Sequence, residues 1–214
     1  MNIRKIIGNL KQHKEEIIEK LLARNGDHFS MYFLIKERFL KNNISDDDEF
    51  QKKFCYFYVM RGINRLEKEE FFKLPSSMKN NLELKNILEK LCEIPNNGQR
   101  HRLFLSFGTK LLHTIDENLP IYDGNIAKVL ELANPTYPTQ KEERIQNRIS
   151  IYDELKECFK ILLGNAEIKN YLKYIRQDFS SRAKQTSFDW KDNFISDTKL
   201  LDSLLWALHT ILKK

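Results

Sequence analysis

Glycine and proline are both scarce, seven and five residues in a chain of 214, and this excludes a turn-rich β sandwich, a collagen and a low-complexity chain. Cysteine is scarcer still. The three copies, Cys55, Cys92 and Cys158, lie too far apart for a Cys-x-x-Cys metal knuckle, and an odd number suits buried thiols in a reducing compartment. No run reaches the ~18 consecutive apolar residues that a membrane helix needs. The basic start from Met1 to Lys5 is interrupted by Asn9, Lys11, Gln12 and Lys14 before an apolar signal-peptide core can form. A cytoplasmic monomer without a membrane partner is the expectation.

What is present points to long helices. Hydrophobic residues make up 41% and charged residues 31% of the chain, enough for a sizeable core under a well-solvated surface. The net charge of +6 favours a polyanionic partner without identifying one. Ile3, Ile6, Ile7, Leu10, Ile17, Ile18, Leu21 and Leu22 recur at three and four, which predicts one amphipathic helix ended by Asn25-Gly26. A second, aromatic-rich helix carries Phe29, Phe33, Leu34, Phe39 and Leu40. Ser45 with the acids Asp46 to Glu49 reads as an N-cap for a third helix running through Phe50, Phe54, Phe57 and Tyr58 toward Leu66.

Leu74-Pro75-Ser76-Ser77 reads as a break with a fresh cap, and Leu82 to Ile94 resumes helical spacing until Pro95-Asn96-Asn97-Gly98. That stop is the expected hinge between residues 1–98 and a hairpin-containing and C-terminal region, 99–214, the two forming two lobes or one compact domain. Helical periodicity returns over 140–163 and 168–179, residues 180–191 read as a loop, and Ser196 caps a terminal helix with Leu200, Leu201, Leu204, Leu205, Leu208 and Ile211 on one broad face. The fold class is therefore all-α, multi-helix and globular.

The segment 104–130 is built differently, from short helices around Gly108. A glycine turn directly before a helix starting near Thr109 points free N–H groups at a phosphate. Lys110 follows at once, and Asp123 stands at the head of the next helix, where an aspartate caps free N–H groups. On periodicity alone the same residues make an ordinary helix–helix turn with a surface lysine and an N-cap. Brought to one cleft, an amine of lowered pKa attacks a sugar C1′ to form an imine, and a carboxylate stabilises cationic charge there.

Phe104-Leu105-Ser106-Phe107-Gly108, Lys110 two residues on, and Ile121-Tyr122-Asp123 together resemble the helix-hairpin-helix DNA glycosylase superfamily, its 8-oxoguanine glycosylase/AP lyase type, over about thirty residues. The resemblance implies a helix-hairpin-helix-like element at 104–123, Lys110 as nucleophile and Asp123 as its catalytic partner. It also implies Phe107, Gly108 and Thr109 as the DNA-gripping turn, double-stranded DNA as partner and no cofactor; the four-cysteine cluster of the iron–sulfur members is missing. Arg100, Arg102 and Lys128 are candidate phosphate contacts, His113 a candidate proton shuttle one turn after Lys110, and Phe179, Phe188 and Trp190 candidate base-stacking aromatics. The implied function is DNA repair by base removal, with strand nicking at the abasic site. The alternative is a non-enzymatic all-α module that binds DNA or protein.

Overall fold

The structure, a computed structural model, describes all residues except 61, 78–82, 95–104, 186–187, 189 and 214, and the backbone alone at 24–27 and 77. Ten α-helices follow one another among the described residues: α1 (Ile3–Gln12), α2 (Lys14–Lys41), α3 (Asp48–Phe57), α4 (Arg65–Ser77), α5 (Leu84–Glu93), α6 (Leu105–Ile115), α7 (Gly124–Val129), α8 (Lys141–Gly164), α9 (Ala166–Ala183) and α10 (Asp197–Leu212). A short 3₁₀ turn, Asp192–Phe194, precedes α10. No described residue is in a strand, and the all-α expectation holds.

Helix α10 is the axis. Its leucines fall on every side, and Leu200, Leu201, Leu204, Leu205 and Leu208 are all fully buried, the pattern of a helix surrounded by others. It packs against α1, α2, α7, α8 and α9, while α5 packs on α6 and α8 and α2 on α3. A single buried cluster draws on both sides of the 98/99 boundary, from Leu10 and Phe54 to Phe159 and Leu205. The expected hinge at Pro95 to Gly98 lies outside the described residues, as do the hairpin residue Phe104 and the candidate phosphate contacts Arg100 and Arg102.

Several helix boundaries differ from those expected. The Ile3–Leu22 helix is interrupted at His13, which closes α1 through its N–H to the Asn9 carbonyl. Helix α2 then runs straight through Asn25-Gly26. One helical glycine costs about 1 kcal/mol, and both flanks repay it, since Ile17, Ile18, Leu21, Phe29 and Phe33 are all buried. The cap of α3 is Asp47 in place of Ser45: its carboxylate accepts the Phe50 N–H and two bonds from Arg38. Arg38 holds that carboxyl well below the ordinary range. Helix α3 stops at Phe57, because Val59 turns into the left-handed region at φ 49°. Pro75 does not break α4 but sits in its last turn, where the bond it forgoes to the Phe71 carbonyl is among the last of the helix and little helix follows to be kinked. Helix α9 extends through Ala183 into the expected loop. The caps read at Ser196 and Asp123 are both present, accepting from the Lys199 and Asn125 N–H groups.

Gly108 is the largest correction. It lies inside α6, not in a turn before it, and a Cβ built there would stand 3.1 Å from Leu84 Cδ1 and 3.3 Å from Ile87 Cγ2 of α5. The glycine lets two helices approach. Its expected role against a phosphate does not fit a position filled by α5 side chains. Gly108→Ala is expected to change stability by less than about 1 kcal/mol, because the helix-propensity gain offsets a small displacement of two flexible side-chain ends. Gly108→Leu should cost about 1–3 kcal/mol through overpacking. Urea denaturation of both variants checks this, and an equal cost for alanine and leucine would contradict the close packing.

Candidate active site

Four polar residues are buried on α10, where leucines occupy the rest of the circumference: Thr198, Lys199, Asp202 and Ser203. Each needs a partner in the interior. Lys199 Nζ lies 2.7 Å from Asp202 Oδ2 and within 6 Å of the ring centres of Tyr32, Phe57 and Tyr58. Ser203 Oγ meets His28 Nε2 at 3.0 Å, and the His28 ring stacks on Trp206. Asp202 Oδ1 is buried without a hydrogen bond. Burial pushes the Asp202 carboxyl up, and Lys199 opposes that shift.

Lys110 enters this cluster from α6. Only 6% of it is exposed, and its Nζ donates to the Tyr58 carbonyl at 2.8 Å. That carbonyl closes the end of α3, so the ammonium also meets the negative end of a helix dipole. Burial, helped by Lys199, lowers the amine from its ordinary 10.5 to about 8 against the opposing pull of Asp123 and Asp202. The expectation that Lys110 sits in a first helical turn is therefore corrected: it is the sixth residue of α6 and points into the interior. Phe107 and Thr109 are interior as well, at 7% and 0% exposure. Thus the DNA-gripping turn expected from Phe107, Gly108 and Thr109 is instead one turn of a packed helix.

The connection from α6 to α7 positions Asp123. It is buried at Pro120 and Ile121, so its backbone groups must find partners inside the protein. Four successive carbonyls do so. Glu117 O accepts from Ser196 Oγ, Asn118 O from Thr198 Oγ1, Leu119 O from His113 Nδ1 and Pro120 O from the Tyr152 hydroxyl. The Tyr122 N–H donates to Thr109 Oγ1 at 3.0 Å. Asp123 follows and caps α7 through Oδ1. Held this way, it acts electrostatically on Lys110, Asp202 and His209 together. Lys110 thus shares Tyr58 with the Lys199–Asp202 pair, whereas Asp123 bears on it through charge alone.

His113 does not fit a proton shuttle. A carbonyl only accepts, so Nδ1 carries the proton and donates to Leu119 O at 2.7 Å. Burial, with Lys199, pushes the ring down to about 3, far from the ambient pH at which a shuttle works. Its other nitrogen faces the Tyr32 hydroxyl at 3.5 Å. The expected stacking platform is absent too: Phe179 and Phe188 are core residues, and Trp190 packs between Phe179, Phe29 and Phe33. Lys128 is exposed on α7, as a phosphate contact requires. Sequence reasoning missed Lys199, Asp202, Ser203, Tyr58 and His28. The signal lay in α10, where Lys199, Asp202, Ser203 and Trp206 form one stripe at i, i+3, i+4 and i+7 among leucines on every other side.

Among the described residues no group of His, Cys, Asp and Glu is placed to hold a metal ion, and no helix is long and apolar enough to cross a membrane. Comparison with family models, with curated proteins and with solved structures returns no match to this chain.

Proposed function

We propose that the protein is an amine-dependent DNA glycosylase and AP lyase in which Lys110 is the nucleophile and Asp123 its electrostatic partner. The observation that carries this reading is a buried lysine, lowered to about 8 and bonded to Tyr58 O, on which the charge of an aspartate at a helix start acts. An ordinary lysine is almost wholly protonated near neutrality, whereas an amine titrating near 8 keeps about a tenth of its molecules unprotonated at pH 7. The neutral Nζ attacks C1′ of a damaged nucleotide. The new N–C1′ bond replaces the glycosidic bond, the base leaves with a proton, and loss of the amine proton with ring opening gives the imine. At an existing abasic site the same amine condenses with the C1′ aldehyde and releases water. Loss of a C2′ proton from the imine then expels the 3′ phosphate and nicks the strand. Asp123, whose charge acts on Lys110, stabilises the cationic character at C1′.

A second reading is supported by the 2.8 Å bond from Lys110 Nζ to Tyr58 O. In it Lys110 is the side-chain cap of α3, and the protein is a non-enzymatic helical module that binds DNA or a protein. One experiment separates them. Borohydride is expected to trap a covalent adduct between the wild type and abasic duplex DNA, and Lys110→Gln to abolish it. Asp123→Asn should slow base removal by about 10²-fold or more, the scale set by removal of one electrostatic stabiliser, with less effect on DNA affinity. Trapping that survives in Lys110→Gln assigns the chemistry to another amine, and its absence with every lesion favours the module.

A further inference from the structure

About half of the described lysines have a carboxylate within 4 Å, among them Lys11, Lys36, Lys73, Lys90, Lys160 and Lys191. An open groove of about 590 Å³ along α9 is different. Lys169, Lys173 and Lys184 line it, all exposed and without an ion pair among the described residues. They recur at i, i+4 and i+15 with Arg176 at i+7 between them, which sets them along one face of the helix. Fifteen residues of α-helix rise ~22 Å, about six steps of a duplex strand at 3.4 Å each. The groove also contains Asp192 and Asp197, but Arg176 binds both carboxylates and the Ile195 carbonyl with its fork.

We propose that this α9 groove is a backbone track for a DNA strand, in which Lys169, Lys173 and Lys184 neutralise phosphates spaced along about six steps. The guanidinium fork that would read a single phosphate bidentately is already saturated, and what remains are point charges strung along a line. Such a set suits a repeating, sequence-independent polyanion better than one phosphorylated group. Asp197 at the edge of the groove and Asp202 in the buried cluster are five residues apart on α10, ~7.5 Å of rise. Ser196 and Thr198, on either side of Asp197, bind the connection that carries Asp123.

The proposal rests on the reading of Lys110 as acting on DNA, and the test keeps the two apart. Binding of the full chain to an abasic duplex is measured by fluorescence anisotropy from about 50 to 200 mM salt, for the wild type, Lys110→Gln and the triple variant Lys169→Gln/Lys173→Gln/Lys184→Gln. The triple variant should bind more weakly and lose about 2.7 from the slope of log affinity against log salt, three contacts at about 0.9 each. Lys110→Gln should keep the wild-type slope, and the triple variant should still be trapped by borohydride at saturating DNA. Circular dichroism verifies that both variants remain folded. A wild-type slope in the triple variant overturns the track whatever the trapping shows, as does a wild type that binds no duplex at low salt. Tripolyphosphate competing as well per molecule as the oligonucleotide overturns the assignment to a strand. Salt-dependent binding lost in the triple variant, with no trapping by any protein, keeps the track and refutes the role of Lys110.

Discussion

Asp202→Ala is expected to destabilise the protein by about 3–5 kcal/mol, the cost of leaving one member of a buried ion pair without the other. Lys199 is 2% exposed, pairs with Asp202 at 2.7 Å and is enclosed by Tyr32, Phe57 and Tyr58. Without the carboxylate, the aromatic faces are all that remain to stabilise its charge, and each offers only a fraction of an ion pair. A loss of that size is a large part of the 5–15 kcal/mol that holds a typical domain together. The double variant Lys199→Met/Asp202→Leu removes both charges and should recover most of the loss, since well-packed apolar replacements of buried pairs are often neutral or stabilising. Urea denaturation of the two variants beside the wild type measures this. A single variant within about 1 kcal/mol of wild type, or a double variant no better than the single, would contradict the buried pair.

The pair also shows where sequence and structure part. The helices were legible because apolar spacing is local: Ser196 and the leucines that follow it delimit α10, and Asp123 announces itself as a cap. What periodicity does not carry is how much of a helix circumference becomes buried. One apolar face on α10 suggests a surface helix, yet the helix is enclosed, and this turns Lys199 and Asp202 from surface charges into interior ones. Gly108 was misread for a related reason. A glycine between short apolar stretches signals a turn, but it serves equally where two helices touch, and only the placement of Leu84 and Ile87 decides between them. Spacing singles out Lys110 and Asp123 as a candidate pair, but the turn that joins their helices lies after Lys110 and not before it. His13 and Pro75 show the remaining limit: helix ends depend on flanking contacts that no short window contains.

Acidification from pH 7 to 5 is expected to remove about 2 kcal/mol of stability through His113 alone. Its ring is held neutral, down to about 3, by burial and by Lys199. In the unfolded chain it titrates at its ordinary 6.5, so below that pH the unfolded state binds a proton that the native state refuses. Stability is therefore lost as pH falls from 6.5 toward 3, by about 1.4 kcal/mol per pH unit. His28, also pushed down to about 3 by burial and Lys199, adds a comparable loss over the same window, for about 4 kcal/mol at pH 5. The Asp47 carboxyl, held low by Arg38, contributes mainly as pH falls toward and below its ordinary 3.8, whereas the Asp202 carboxyl, pushed up by burial, works in the opposite direction. His113→Asn keeps a donor for Leu119 O and removes the titration, and it should recover about half of the difference between pH 7 and pH 5. An unchanged pH dependence in that variant would show that the imidazole already binds its proton in the native state.

Lys110 follows the same sign in an alkaline window. Because its folded pKa lies below its unfolded one, the native state gives up its proton first, and stability rises between about 8 and 10.5 as pH increases. The same loss of a proton makes the amine a nucleophile, so the central claim reduces to where one side chain titrates. The direct measurement is an NMR titration of the Lys110 εCH₂ group in protein labelled with ¹³C-lysine, with the resonance assigned by its absence in Lys110→Gln. The account predicts a midpoint near 8, moving lower when Asp123→Asn removes a charge that favours the ammonium. A midpoint at the ordinary 10.5, unmoved by Asp123→Asn, would contradict it and leave Lys110 as no more than the cap of α3.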